Sequence, residues 1–425
     1  MKLESYWLDT APRFSGGAQG SVPMQTDVVV IGGGFTGLSA AVSLSRKGRS
    51  VVLLEAGRIA GEASGRNGGQ CNGGLAHDFS TLANRLGAEK AKELYQSFTA
   101  AVDTVEKVVG DEGLDCDFHR CGKLKLAAKP EHYSKLQQQY EVLHPDVDPD
   151  LALVSPQELH AEIGSHGFHG ALLQKTSAQL HVGKFGSGLA NAAVRRGATI
   201  FESARVTKLK PISGQSYQVS CSKGTIKAKQ VLLATGGCGV GPFSYFRRRL
   251  VPVGSFIIAT EPLSEELLEQ IMPGRRNYVT TKNIGNYFRI TPDHRLLFGG
   301  RARFATSNPR SDEKSGHLLH KAMLEIFPDL AGTRIDYCWG GSVDMSADRL
   351  PRAGVHNDLF YSLGYSGHGV QMSVHMGQIM AEVMEGQDAR NPWRAMNWPP
   401  IFGHFGKPWF LPLVGAYYKL KDKLS

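Results

Sequence analysis

The sequence predicts an α/β fold, a parallel sheet flanked by helices, accompanied by an α+β region built on an antiparallel sheet. Three stretches carry that expectation. Thr26–Glu55 reads as strand, glycine turn, helix and strand. Asn357–Gly386 repeats strand, glycine loop and helix near the other end of the chain. Between them, "HRCGKLKLAA" and "NYFRI…RLLFGGRARF" alternate apolar and polar residues with the period of two that half-buried strands show.

Taken in order, the first 24 residues lack a regular period and hold Gly16, Gly17 and Gly20, which suggests an irregular arm. "TDVVVI" is a short, continuous, β-branched run, the pattern of a strand buried on both faces. It is followed by G-x-G-x-x-G at Gly32, Gly34 and Gly37, and then by a helical stripe of Leu38, Ala41, Val42 and Leu44 that Gly48 stops. "SVVLLE" returns as a second strand ending in Glu55. Each glycine has its own physical reason. Gly32 permits a sharp turn off the strand, Gly34 lets backbone amides approach a diphosphate, and Gly37 lets the helix lie against the strand. The residues between them, Phe35 and Thr36, form the head of the helix, whose partial positive charge faces the phosphates. Glu55, with Ala56 next to it, is placed to accept hydrogen bonds from a ribose. The unit is a Rossmann-like dinucleotide site.

A second glycine-dense loop, "AGRIAGEASGRNGGQCNGG", follows at once where a plain NAD domain would begin another helix. Ser64, Arg66, Asn67, Gly68, Gly69 and Gln70 can wrap a flat ring system or its diphosphate, which favours FAD over NAD. "TLANRLGAEKAKELYQSFTAAVDTVEKVVGDEG" reads as one or two amphipathic helices. "KAKQVLLATGG" is a further strand that ends in a small-residue turn at Gly236. In the last glycine loop, Gly364, Gly367 and Gly369 precede a helix with Val370, Val374, Ile379, Val383 and Met384 at core spacing. That helix head suits the edge of a flavin where negative charge gathers on reduction. The tail "PWFLPLVGAYYKLKDKLS" is apolar and then basic, fitted either to pack on the cofactor domain or to lie in a membrane interface.

These motifs together resemble the D-amino-acid-oxidase-like flavoproteins, the sarcosine and glycine oxidase group. "GRIAGEASGRNGGQ", "CWGGSVDMSADRLPRAG" and the last glycine loop carry the likeness, which covers nearly the whole chain. The resemblance implies two interleaved domains, a cofactor domain of residues 1–78, 155–237 and 339–398 and a substrate domain of 79–154 and 238–338, with 399–425 as a tail. It implies FAD contacts at the residues named above and at Val206, Gly367, His368, Gly369, Val370 and Gln371. It also implies oxidation of a C–N bond, to an imine and then an aldehyde or keto acid. Dioxygen would take the electrons as hydrogen peroxide; the alternative acceptor is a quinone or carrier at the membrane. Family members carry G-F-S-G-H-G-F-K, whose lysine helps to hold a substrate carboxylate. Here the loop is G-Y-S-G-H-G-V-Q, so the amide of Gln371 stands in that place and a simple α-amino acid is disfavoured. His368, Gln371, Tyr287 and Arg301 are the catalytic-side candidates, with Arg66 and Arg289 also candidates for the pocket. Val343 and Asp344 stand where some relatives attach flavin to cysteine. Noncovalent FAD is therefore expected, with Cys338 near enough to keep the question open.

Composition bounds these readings. The chain has 425 residues, more than one core usually organises, and 41% hydrophobic residues. Its net charge of +9 is dispersed, with small clusters at Arg247–Arg249 and at Lys419, Lys421 and Lys423. Some relatives modify tRNA, but a basic block suited to nucleic acid is missing. The six cysteines form no C-x-x-C pair, so reduced thiols in a cytoplasm are expected rather than a disulfide framework or a metal site. The start lacks the basic and apolar regions of a signal peptide, and no apolar run is long enough to span a bilayer.

Overall fold

The computed structural model describes residues 1–75, 77–212, 216–237, 242–301, 305–406 and 408–424, and the side chains of all of these except Lys419, Lys423 and Leu424. Among the described residues, two eight-stranded sheets and a three-stranded one organise the chain. In the first sheet the strand Gln25–Ile31 lies parallel between Val51–Leu54 and Gly224–Leu233. Thr199–Phe201 extends one side, also parallel, and Leu359–Leu363 pairs parallel with the end of Gly224–Leu233. The antiparallel strands Val206–Pro211 and Tyr217–Cys221 continue from the first half of Gly224–Leu233. The "VVVI" run is continuous because both of its faces are covered. Val28 and Val30 join the core under the helices, while Val29 and Ile31 join a second core with Phe243, Phe246 and Trp398.

The helices Phe35–Arg46 and Gly369–Met384 cross closely beneath this sheet. A Cβ on Gly377 would lie 2.6 Å from the Thr36 carbonyl oxygen, so contact this close requires glycine. Ser39 Oγ donates to the Val374 carbonyl across the crossing at 2.7 Å. The long amphipathic stretch forms two helices, Phe79–Leu86 and Ala88–Glu112, and the second packs on Gly369–Met384.

The second sheet runs in the order Ile335–Met345, Val251–Thr260, Leu296–Gly300, Asn286–Ile290, Asn277–Thr280, Lys123–Leu126, Ala171–Gln174 and Leu151–Val154. It is antiparallel except where Asn277–Thr280 meets Lys123–Leu126. The helix Pro309–Ile326 backs it, through Leu319 and Met323. Of the stretches expected as alternating strands, Lys123–Leu126 and the described part of the second lie in it, while His119–Arg120 pairs with Ala178–Gln179 in the three-stranded sheet; Ala302, Arg303 and Phe304 are outside the described residues.

Ala171–Gln174 and residues 339–345, in segments that the resemblance puts with the cofactor domain, pair in this second sheet. Two placements differ from the sequence expectation. The first residues are not an irregular arm throughout. Tyr6–Thr10 is a short helix, and the Trp7 indole is fully buried with its N–H donating to the Asn67 carbonyl at 2.6 Å. The tail forms the helix Leu411–Leu424 and docks on the second sheet. Leu411 packs on Val251 and Val253, and Asp422 accepts from the amides of Asn283 and Ile284 at 2.9 and 2.8 Å. No helix among the described residues is long and apolar enough to cross a membrane.

Candidate functional site

A cleft of about 1060 Å³ runs from the carboxyl end of the parallel strands to the face of the second sheet. At one end lie Gly32, Gly34, Glu55, Ala56, Arg205, Val206, Thr235 and Gly236. This is the position beyond the carboxyl ends of parallel strands where open α/β sheets bind ligands. Gly32 sits at φ +113°, and a Cβ there would lie 2.5 Å from the Ala234 carbonyl oxygen. The Glu55 carboxylate accepts from the amides of Gly33 and Gly57 at 2.7 and 2.6 Å. Burial raises its pKa and these two bonds oppose the rise.

The close helix crossing brings two helix heads to one cleft. Phe35 N–H is taken by Ser64 Oγ at 3.1 Å. The amides of Gly34, Thr36 and Gly37 have no partner among the described residues, nor do those of Gly369, Val370 and Gln371. Unsatisfied N–H groups aimed into a cavity call for an acceptor. Thr36 and Tyr365 hydroxyls meet at 2.8 Å, and Tyr365 meets Ser362 at 2.8 Å, which fixes the two heads to each other.

The second glycine loop closes one long wall. Asn67 Oδ1 accepts from Gly69 N–H at 2.8 Å while its Nδ2 donates to the carbonyls of Ala63 and Ser64. Arg66 Nε donates to the Gly340 carbonyl at 2.6 Å. Arg289, expected as a pocket candidate, stands behind this loop rather than in the cleft. Its guanidinium donates to the Gly69 carbonyl at 3.0 Å, lies over the Trp7 ring, and is pulled down to about 10 by burial.

At the far end of the cleft, His368 and Gln371 come together with Tyr287. The His368 ring meets Phe98 edge-on and makes no hydrogen bond among the described residues. Burial, reinforced by Lys123, Arg349 and Arg301, pulls it down to about 3, so the ring is neutral. Gln371 Nε2 donates to the Asn72 carbonyl and its Oε1 is left unpartnered. The Tyr287 ring is held between Gly68 and Gly299, and its hydroxyl lies 3.1 Å from Ser255 Oγ. Arg301 does not line the cleft; it follows Leu296–Gly300 at the strand's end, where burial and Arg349 lower its pKa. Gly37, Gly69 and Gly364 also lie behind the wall. A Cβ on Gly37 would lie 1.9 Å from the Gly32 carbonyl oxygen, so this glycine seats the helix on the turn. Gly364, at φ +77°, donates to Asp344 at 2.7 Å.

Several lining residues were not anticipated: Asn72, Tyr95, Lys123, Lys125, Gln174, Ser255 and Asp344 as a carboxylate wall. Asp344 is pushed up to about 6 by burial. Cys338 faces away from the cleft, its thiol donating to the Asp312 carbonyl at 3.2 Å in the second sheet's core. No cysteine among the described residues lines the cleft; Cys238 is outside them.

The family profile described as DAO, FAD dependent oxidoreductase, matches residues 27–383. Gamma-glutamylputrescine oxidoreductase of Escherichia coli (strain K12) is 30% identical over 99% of this chain and 98% of its own. A probable oxidoreductase OrdL of Haemophilus influenzae is 32% identical over 93% and 92%. Among solved structures, glycine oxidase from Geobacillus kaustophilus superposes with a TM-score of 0.71 at 20% identity, covering 88% of this chain and 100% of that one. It supports the shared fold.

Proposed function

The chain belongs to the DAO family of FAD-dependent oxidoreductases, and on that premise we propose that it oxidises the C–N bond of an amine or amino-acid derivative. FAD is its cofactor. The residues fit the group. A glycine cradle, the unpartnered amides of Gly34, Thr36, Gly369, Val370 and Gln371 at two helix heads, and Glu55 beside the first of them lie along one cleft. Gly34 to Gly37 would hold the diphosphate, Glu55 the ribose, and Gly367 to Gln371 the flavin's polar edge. The absence of any cleft cysteine among the described residues supports noncovalent FAD.

Held there, FAD would supply the acceptor for a hydride from the carbon beside the substrate nitrogen, and dioxygen would be the final oxidant, giving hydrogen peroxide. The chain aligns and dries the reactants. Neutral His368 offers a ring nitrogen to a substrate N–H without adding charge beside it. Tyr287, fixed between two glycines, walls the chamber. Loss of the hydride from carbon and of a proton from nitrogen would leave an imine, which water hydrolyses to an aldehyde or keto acid and an amine.

The observation that carries the substrate reading is Gln371, an amide where a cation would grip an α-carboxylate. It favours an amine whose carboxylate is remote, in keeping with the gamma-glutamylputrescine named for one relative. Anaerobic bleaching of the flavin's visible absorbance tests it, against gamma-glutamyl amines, polyamines and N-methyl or cyclic amino acids. Bleaching by remote-carboxylate amines is expected. Bleaching by sarcosine alone refutes the argument from Gln371, and bleaching by none refutes amine oxidation.

A second reading passes the electrons to a quinone or carrier protein. Its support is the exposed row Phe402, Phe405, Trp409, Leu413, Tyr417 and Leu420 beside basic Arg248. Rapid reoxidation in air favours the oxidase; slow reoxidation with co-sedimentation on anionic vesicles favours the carrier. The interleaved partition into cofactor and substrate domains, and a cytoplasmic site of action, belong to the same proposal.

A further inference from the structure

The strand Lys123–Leu126 turns one face to its core and the other to the cleft. Leu124 and Leu126 are fully buried in the second sheet's core, while Lys123 and Lys125 line the chamber. Lys123 Nζ donates to the Gly73 carbonyl at 2.9 Å, and Lys125 Nζ to Gln139 Oε1 at 3.1 Å. Among the described residues neither ammonium has a carboxylate within ion-pair distance. The two acids that act on them from farther away are engaged elsewhere. Asp148, beyond Lys123, accepts from Tyr95 and Gln174 at 2.6 and 3.0 Å. Asp78, beyond Lys125, caps its own helix through Thr81 N–H at 2.9 Å. His368, which feels Lys123, is neutral. Two amines therefore face a cavity whose other nearby groups do not pair with them, and a buried amine carries its proton only at a cost unless a ligand supplies the anion.

The neighbours give the shape of that ligand. Gln174 pairs with Lys123 across the sheet, so both side chains stand on the cleft face, and Gln174 Oε1 has no partner. Leu172, opposite Lys125, together with Leu151 and Val279 makes the wall around them apolar. From the geometry we infer that Lys123 and Lys125 form an anion-binding subsite, which takes a substrate carboxylate separated from the reacting C–N bond by a largely apolar chain. This rests on the proposed amine oxidation and specifies its substrate class. Burial and Lys125 pull the Lys123 ammonium down to about 7, so an arriving carboxylate restores its proton.

Calorimetric titration of the FAD-loaded enzyme with glutarate, and with its neutral analogue glutaramide, tests the subsite apart from turnover. Glutarate is expected to bind about 10- to 100-fold more tightly than glutaramide. Above pH 7 its binding takes up protons, read from buffers of different ionisation heat. K123M and K125M are expected to lose most of the preference, and K123R to keep it. Equal binding of the two probes by the wild-type protein overturns the subsite, whether or not the variants fold, as does an undiminished preference in a folded K123M. If no amine bleaches the flavin but glutarate still binds through Lys123, amine oxidation fails and the subsite stands.

Discussion

Gly377→Ala tests whether the closeness of the two helices is what assembles the cofactor site. The added Cβ would lie 2.6 Å from the Thr36 carbonyl oxygen, 2.8 Å from Ser39 Cβ and 3.0 Å from Ala40 N. Real Cβ atoms are essentially never found nearer than 3.0 Å to another heavy atom, so from 3.0 minus 2.6 the helices must part by at least 0.4 Å. The nearest atoms are backbone and cannot swing aside. Such overpacking costs about 1–3 kcal/mol. The displaced residue, Thr36, carries one of the unpartnered amides and bonds Tyr365 under the other helix head. If the whole cost falls on the FAD-binding geometry, the FAD dissociation constant rises roughly 5- to 150-fold. The assay is fluorescence titration of the apoprotein with FAD, beside far-UV melting. Gly110→Ala is the control, because that glycine lies in the helix Ala88–Glu112 with nothing within 4 Å of its missing Cβ. It should leave FAD affinity unchanged and stabilise by about 0.5–1 kcal/mol. Unchanged FAD affinity and an unchanged melt in Gly377→Ala would refute the reasoning.

Other expectations follow from single contacts. Gly32→Ala forces a side chain into φ +113° and against the Ala234 carbonyl at 2.5 Å, so the protein should purify without colour; a yellow variant with normal FAD affinity would contradict the cradle. Acid precipitation of the native enzyme should leave all flavin in the supernatant, since Cys338 is buried away from the cleft; flavin retained in the pellet would show an attachment. His181 is pulled down to about 4 by burial and then Lys184, and its Nδ1 accepts Lys184 N–H at 3.2 Å, capping the helix Val182–Arg195. The unfolded chain binds this proton from about pH 6.5 downward and the fold does not, so stability falls as pH falls through that window. His181→Asn keeps a capping oxygen and removes the titration. Urea unfolding should show the wild-type protein losing roughly 2 kcal/mol more than the variant between pH 7 and 5. Equal losses would assign the acid sensitivity elsewhere.

The cofactor half was legible because its residues answer to one requirement each. A diphosphate against a helix head needs glycine at 32 and 34, and a helix seated on its strand needs glycine at 37, so spacing alone placed them. Arg289 and Arg301 were less legible. An arginine on an alternating strand reads the same whether it faces a ligand, a loop carbonyl or a neighbouring cation, and Arg289 braces Gly69 from behind. The short helix Tyr6–Thr10 escaped notice because its reason lies elsewhere in the chain. Trp7 is held by the Asn67 carbonyl and by Arg289, not by any local period.

The lysines of "KLKL" were not singled out, for a deeper reason. Alternation reports that one face of a strand is apolar and the other is not, and says nothing of what the polar face meets. On an outer strand it meets water, and lysine there is ordinary. On Lys123–Leu126 the next strands and the helix Ala88–Glu112 enclose that face, and the same two residues become partly desolvated cations in a cavity. The cost of keeping them protonated there is offset when an anion sits between them. A fold that needed only a polar strand face could use threonine or glutamine at no such cost. The choice of charge at 123 and 125 is therefore better explained by what enters the cleft than by what the sheet requires.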